Sequence, residues 1–453
     1  MRLDRKKVGL FLTLKRERKA LKRRGNDFWR RFAKARAAKF SLEKAVVFGA
    51  GSVISRMFSD CAAQDIYMPQ TSLVLRIPKT FSMLESPGEA IGLVASLART
   101  HQNRSISDVF VDFSQVKIQD LGAHALLDKL VDEMVLQASF QNTRIAWKGT
   151  FPQDAAQRRF IKAMGILRQL GITHRYLDYD DAKKVHLFER RCRHHLRQLK
   201  PVNPEDKSEQ SNAAERFANH VNRCLATEGR QLTLDGRSRL CSYVVEVIDN
   251  AENHAGGIVD WTIQGYVDMA MEQPQCEIVI FNFGKSISET LDELPADSYT
   301  MLQIKNYFDL HGEGGWFSPS WRREDLLTLM ALQGSVSRNN SSDDTTRGQG
   351  TADLIDFFQQ MNDERSLEGL KKASMYIVSG TTRVLFDPKY RISEDETSSR
   401  TIAFNTENDL RRPPDPSCVM PLTGGRLPGT MIGIKFEVQS SILQMTEPAK
   451  STS

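Results

Sequence analysis

Ten residues, Glu246-Val-Ile-Asp-Asn250-Ala-Glu-Asn-His254-Ala255, constrain this chain more than any other stretch. They close a segment, beginning at Leu240, that reads as a helix. A carboxylate at 246 and a carboxamide at 250 stand four positions apart and therefore share a helical face. A Glu that polarises a water, beside an Asn that holds a hard cation, is what a magnesium–nucleotide site needs. The plainer reading is an amphipathic helix with a polar face, and these ten residues alone do not exclude it.

Other segments narrow the choice. Ile278-Val-Ile-Phe-Asn282-Phe-Gly284-Lys-Ser286-Ile287 reads as a strand ending in a glycine turn. Arg347-Gly348-Gln-Gly350-Thr351-Ala-Asp-Leu354 reads as a glycine loop opening a helix, and Pro428-Gly429-Thr430 opens a strand running to Phe436. One glycine pair is weak evidence; three ordered boxes in helix, strand and helix contexts are much stronger. The pattern E-x-x-x-N-A-x-x-H-A resembles the N box of the gyrase, heat-shock ATPase, histidine-kinase and mismatch-repair superfamily (the GHKL or Bergerat fold). The later segments resemble that family's D-x-G-x-G box, its second glycine box and its terminal G-T strand. The resemblance spans residues 210 to 440.

The resemblance implies ATP and Mg as cofactors. Glu246 would be the general base, Asn250 a magnesium ligand, and Asn282, Gly284, Ser286, Arg347, Gly348, Gly350, Thr351 and Thr430 nucleotide contacts. Gly348 and Gly350 lack a Cβ, so backbone amides approach phosphate, and the helix from Thr351 adds its positive end. His254 would organise the helix end. Two departures stand out. Where the family carries an Asp that accepts from the adenine amino group, this chain has Asn282, whose neutral oxygen accepts more weakly. Ser286 replaces the second glycine.

The 453 residues allow two or three domains and a sizeable core. No apolar run approaches the roughly 18 to 20 residues of a membrane span, and no signal peptide is evident. Single cysteines, none in C-x-x-C spacing, give no zinc or redox motif and suit a reducing cytoplasm. Net charge is +6, but residues 1–40 hold sixteen Lys or Arg against three acids. That arm reads as helical, carries Phe28, Trp29 and Phe32 among its cations, and invites a nucleic acid, an anionic membrane surface or an acidic partner.

Residues 70–190 alternate strand and helix, which implies a small α/β layer domain. At Val109-Phe-Val-Asp112-Phe-Ser114-Gln-Val116-Lys-Ile-Gln-Asp120-Leu-Gly122 the segment resembles the STAS domain of anti-anti-sigma factors. The D-S-S-G turn of that family reads Asp120-Leu121-Gly122 here, without the phosphorylatable serine. The expected fold is thus α/β (α+β). A basic helical arm (1–45) precedes a STAS-like βαβα layer domain (46–195) and a linker (196–212). A Bergerat α/β sandwich (213–440) with a lid insertion at 288–346 follows, and a disordered tail (441–453) ends the chain.

The leading functional expectation is a bacterial, cytoplasmic, Mg-ATP-binding switch, with slow hydrolysis left open, acting through the STAS-like domain or the arm on a protein partner. Alternatives are a nucleic-acid-associated ATPase of a mobile-element or phage-defence (antiviral) system, an anti-sigma-type serine kinase, and a ligand-free scaffold. A homodimer is left open. Self-phosphorylation is disfavoured, because neither His124 nor His194-His195 sits in a phosphoacceptor-like context.

Overall fold

The computed structural model describes residues 58, 61, 71–103, 106–140, 143–170, 184–193, 209–226, 229–254, 260–270, 274–311, 322–334, 336, 349–367, 373–394, 400–438 and 443–445. The expected basic arm, most of the linker, residues 312–321, 335 and 337–346 of the expected lid, and all of the expected tail except residues 443–445 lie outside them. Residues Ile54–Ser453 form one compact unit.

The first layer is parallel. Strands β1 (Ser72–Arg76), β3 (Asp108–Asp112) and β5 (Ala146–Thr150) pair in that order, Val74 against Phe110 and Phe110 against Lys148. Two-residue strands β2 (Thr80–Phe81) and β4 (Ile118–Gln119) pair beside them. Parallel neighbours need long crossovers. Helices α1 (Pro87–Asn103) and α2 (Leu121–Phe140) supply them, and α3 (Ala155–Ala163) and α4 (Ile166–Gln169) follow. Helix α2 is buried from Leu121 through Val131 on every face. A helix buried all round needs cover on both sides. One side meets the parallel layer and the other meets a second sheet.

That second sheet has seven antiparallel strands. The chain runs on through β6 (Val185–Arg193), α5 (Glu209–Leu225), β7 (Arg230–Leu232), α6 (Leu234–His254), β8 (Asp260–Asp268) and β9 (Gln275–Phe283), with β7 pairing apart from this sheet. Then come α7 (Ile287–Asp292), α8 (Tyr299–His311), α9 (Arg323–Met330), α10 (Gln349–Leu367), β10 (Ser374–Gly380) and β11 (Thr382–Phe386). Short β12 (Ser393–Glu394), β13 (Arg400–Thr401) and β14 (Val419–Pro421) precede β15 (Leu427–Glu437) and β16 (Leu443–Met445). The strand order is β14-β11-β10-β15-β9-β8-β6. The expected pairing of the segments near 260–270 and 275–281 is present, with Ile263 opposite Ile280.

Alternation along β9 divides two cores. Cys276, Ile278 and Ile280 join Phe217, Val244, Val247 and Phe358 of α5, α6 and α10. Val279 and Phe281 join Leu127, Leu130 and Val131 of α2. A strand covered on both faces reads as a continuous apolar run, which is what Ile278-Val-Ile-Phe is. The fold is mixed α/β, with parallel and antiparallel sheets. No helix among the described residues is long and apolar enough to cross a membrane.

Candidate functional site

The sheet register builds a polar row at the end of β9. Trp261 and Thr430 both stand opposite Asn282, Ser379 stands opposite Thr430, and Thr382 opposite Ser379. Opposed residues point to the same face, here the face bearing α6 and α10. Most of the row is satisfied within the protein. The Thr430 and Ser379 hydroxyls are 2.7 Å apart, and Ile287 N donates to Ser379 Oγ at 2.8 Å. Thr382 Oγ1 donates to Asp325 Oδ1 at 2.6 Å, and the Arg322 guanidinium holds both oxygens of Asp325 at 2.7 and 3.0 Å.

Asn282 is the exception. It is 1% exposed, and neither Nδ2 nor Oδ1 meets a hydrogen-bond partner among the described residues. Leaving a buried polar group unpaired costs about 1–3 kcal/mol, so such a group calls for a reason. Its backbone is tightly backed. Gly429 has φ +128°, and a Cβ there would lie 2.1 Å from Asn282 O, so only glycine fits.

Asn282, Thr351 and Thr430 are the polar members of one cavity, otherwise lined by Val247, Ile280, Ile287, Ala331, Leu332, Ile377 and Ile432. The cavity is narrow, about 20 Å³, room for one water and no more. Its Ala331–Leu332 wall is held shut by Gln333. Gln333 Nε2 donates to Ile402 O at 3.0 Å and Ile402 N donates to Gln333 Oε1 at 2.9 Å, while Gly334 N donates to Arg400 O at 2.9 Å.

The expected site residues divide accordingly. Asn282, Thr351 and Thr430 converge on the cavity. Glu246 and Asn250 lie on α6, where Val247 lines the cavity, but their side chains are outside the described set. Gly350 is in the first turn of α10; Arg347 and Gly348 are outside the described residues. Gly284 ends β9 at φ +150°, with its N–H on Pro428 O at 3.3 Å. Ser286 caps α7. Its Oγ accepts from Glu289 N at 3.2 Å while Glu289 Oε2 accepts from Ser286 N at 2.7 Å, a capping box.

No family model, no curated protein and no solved structure matches this chain.

The opposite face of β9 carries a second polar group that sequence reasoning did not single out. Glu277 is 2% exposed, and Leu121 N, at the start of α2, donates to its Oε1 at 2.8 Å. Beside it Asp120 caps α2, accepting from Ala123 N and Leu84 N at 2.9 Å and from Ser82 Oγ at 2.5 Å. Both line a cavity of about 260 Å³ together with Lys435 and Tyr376. Burial pushes the Glu277 carboxyl up to about 7; the Lys435 ammonium, 3.7 Å away, opposes that shift, and Asp120 adds to it. Burial likewise raises Asp120, against the hydrogen bonds it accepts. The ion pair with Lys435 thus fails to offset desolvation. The available signal was a lone acid inside an apolar strand.

The turn Asp120-Leu121-Gly122 is therefore a docking point. Leu121 is 1% exposed, and a Cβ on Gly122 would come 2.2 Å from Tyr376 Oη.

Proposed function

We propose that the C-terminal portion binds a magnesium purine nucleotide, ATP in the first instance, and that its nucleotide state acts on the parallel layer docked behind the sheet. The observation that carries this reading is Asn282: a buried carboxamide with both polar atoms unpaired among the described residues, in a wall shared with α6, Thr351 and Thr430. The finer architecture belongs to the same reading, a Bergerat-type sandwich preceded by a STAS-like layer. The donor set fits a nucleotide. Asn282 has the polarity for a base edge, the aliphatic side chains suit its faces, and the N-terminal turn of the 19-residue α10 suits phosphate. Asn250 would hold magnesium and Glu246 would take a proton from an attacking water. Magnesium, when bound, neutralises phosphate charge.

The switch part rests on β9. Asn282 faces the cavity, while its neighbour Phe281 packs in the α2 core with Lys129 Nζ 5.7 Å from its ring centroid. One strand therefore serves both faces, and a shift at Asn282 is felt by α2. A buried Leu121 where a phosphoacceptor serine would stand favours a switch over phosphorylation of this turn within the chain.

The test is titration calorimetry with Mg-ATP, alongside a turnover assay. The native chain is expected to bind, and Asn282→Leu to lose binding. Glu246→Gln should retain binding without turnover, and Asn250→Ala should lose the magnesium-dependent part. A native chain that takes up no Mg-ATP, or an Asn282→Leu variant that binds like it, ends the proposal.

A further inference from the structure

We infer that the nucleotide site accepts 6-amino and 6-oxo purines alike, with Asn282 as the residue that permits it. The inference rests on the nucleotide-binding reading above and concerns which bases that site takes.

A carboxamide carries a donor and an acceptor side by side. Asn282 offers both, and neither is engaged by the protein among the described residues. An incoming ligand edge satisfies the group only by presenting a neighbouring acceptor and donor. Adenine does so with its 6-amino group and ring N1; the carboxamide oxygen accepts from the first and its NH2 donates to the second. Hypoxanthine and guanine do so in reverse, with the 6-oxo group accepting and N1–H donating. The two arrangements differ by a half-turn of the carboxamide about its last bond.

A polar partner that fixed one orientation would select one base. Among the described residues none of the neighbouring groups does this. Thr430 Oγ1 is already 2.7 Å from Ser379 Oγ, Ser379 Oγ also receives Ile287 N, and the rest of the wall around Asn282 is aliphatic apart from Thr351. Gly429 sits against the Asn282 main chain and not its amide. A carboxylate at this position has acceptors only, so it takes a donor at one oxygen and faces an acceptor with the other. The chain's Asn in place of an acid is thus a change in what the site can read.

The experiment measures binding of the magnesium salts of ATP, inosine triphosphate and purine riboside triphosphate, which lacks any group at C6, to the full chain and to Asn282→Leu. ATP and inosine triphosphate are expected within about tenfold of one another, and purine riboside triphosphate weaker than ATP by more than about tenfold, since one amide atom then stays unpaired. In Asn282→Leu, folding being checked by thermal unfolding, the three are expected to bind equally poorly. Inosine triphosphate weaker than ATP by more than about tenfold overturns the inference and leaves the nucleotide site standing. So does a native chain that binds all three alike, because the edge is then not read. A chain that binds none of them overturns the inference together with the site.

Discussion

Replacing Asn282 by leucine separates stability from binding. Leucine keeps the branching of asparagine, with two bulkier methyl groups in place of the amide oxygen and nitrogen, and removes both unpaired polar atoms in one step. Each such atom costs about 1–3 kcal/mol when buried without a partner. The new methyl groups would meet Val247, Ile280, Ile287, Leu332 and Ile432, all lining the same cavity. Against this stands imperfect fit in a space of only about 20 Å³, for which about 1 kcal/mol is a fair charge. The net expectation is a gain of about 2 kcal/mol without ligand, or a rise in Tm of about 2–3 °C for a unit of this size. Urea unfolding and a thermal scan read both quantities. Adding Mg-ATP should raise the native Tm, by linkage of binding to folding, and leave the variant where it is. A variant less stable than the native chain by 1 kcal/mol or more would refute the reasoning, since the buried carboxamide would then cost less than the misfit of leucine.

Three further outcomes follow from other residues. A carboxylate whose folded pKa lies near 7 instead of its usual 4.5 keeps a proton that the unfolded chain releases. Its contribution to stability is full below pH 4.5 and is lost as pH rises through 7, so Glu277→Gln should gain on the native chain by roughly 2–3 kcal/mol between pH 5 and pH 8; a pH-independent difference would show that Glu277 titrates normally. Gly122→Ala should lose about 1–3 kcal/mol through the clash with Tyr376 Oη, and Tyr376→Phe in the same chain should restore part of it in a double-mutant cycle. Gln333→Ala leaves the Ile402 N–H and C=O without their side-chain partner, so a loss of about 2 kcal/mol with faster amide exchange around 331–336 is expected; unchanged exchange would mean that Gln333 does not hold this wall.

Local patterns carried much of the architecture. Helix α6, the β8–β9 pair, the terminal strand and the βα rhythm before residue 190 are periodicities within single segments, and they are where the spacing puts them. The segments that bring Asn282, Thr351 and Thr430 to one cavity are marked in the sequence by glycines at strand and helix ends. What was hidden depends on distant register. That Val185–Arg193 pairs with β8, Glu189 opposite Gln264, follows from a partner some 75 residues on, which no local pattern encodes. The same holds for Thr382 reaching Asp325 and for Glu277 meeting Leu121. Ser286 is a case of competing signals. Read against the glycine box it is a substitution; read with Glu289 three positions later it is a helix cap, and hydrogen bonding favours the cap. Helices α7 and α8 fall inside the stretch expected as a lid, where their modest lengths gave little periodicity to read.

The all-round burial of α2 has a practical corollary for anyone dividing this protein. Severing the chain between the parallel layer and the seven-stranded sheet would strip Val279, Phe281, Tyr376, Val378 and Met431 of their cover, and α2 of its own. Each piece would carry a raw greasy surface into water and clump, so the halves are best regarded as inseparable tenants of one fold.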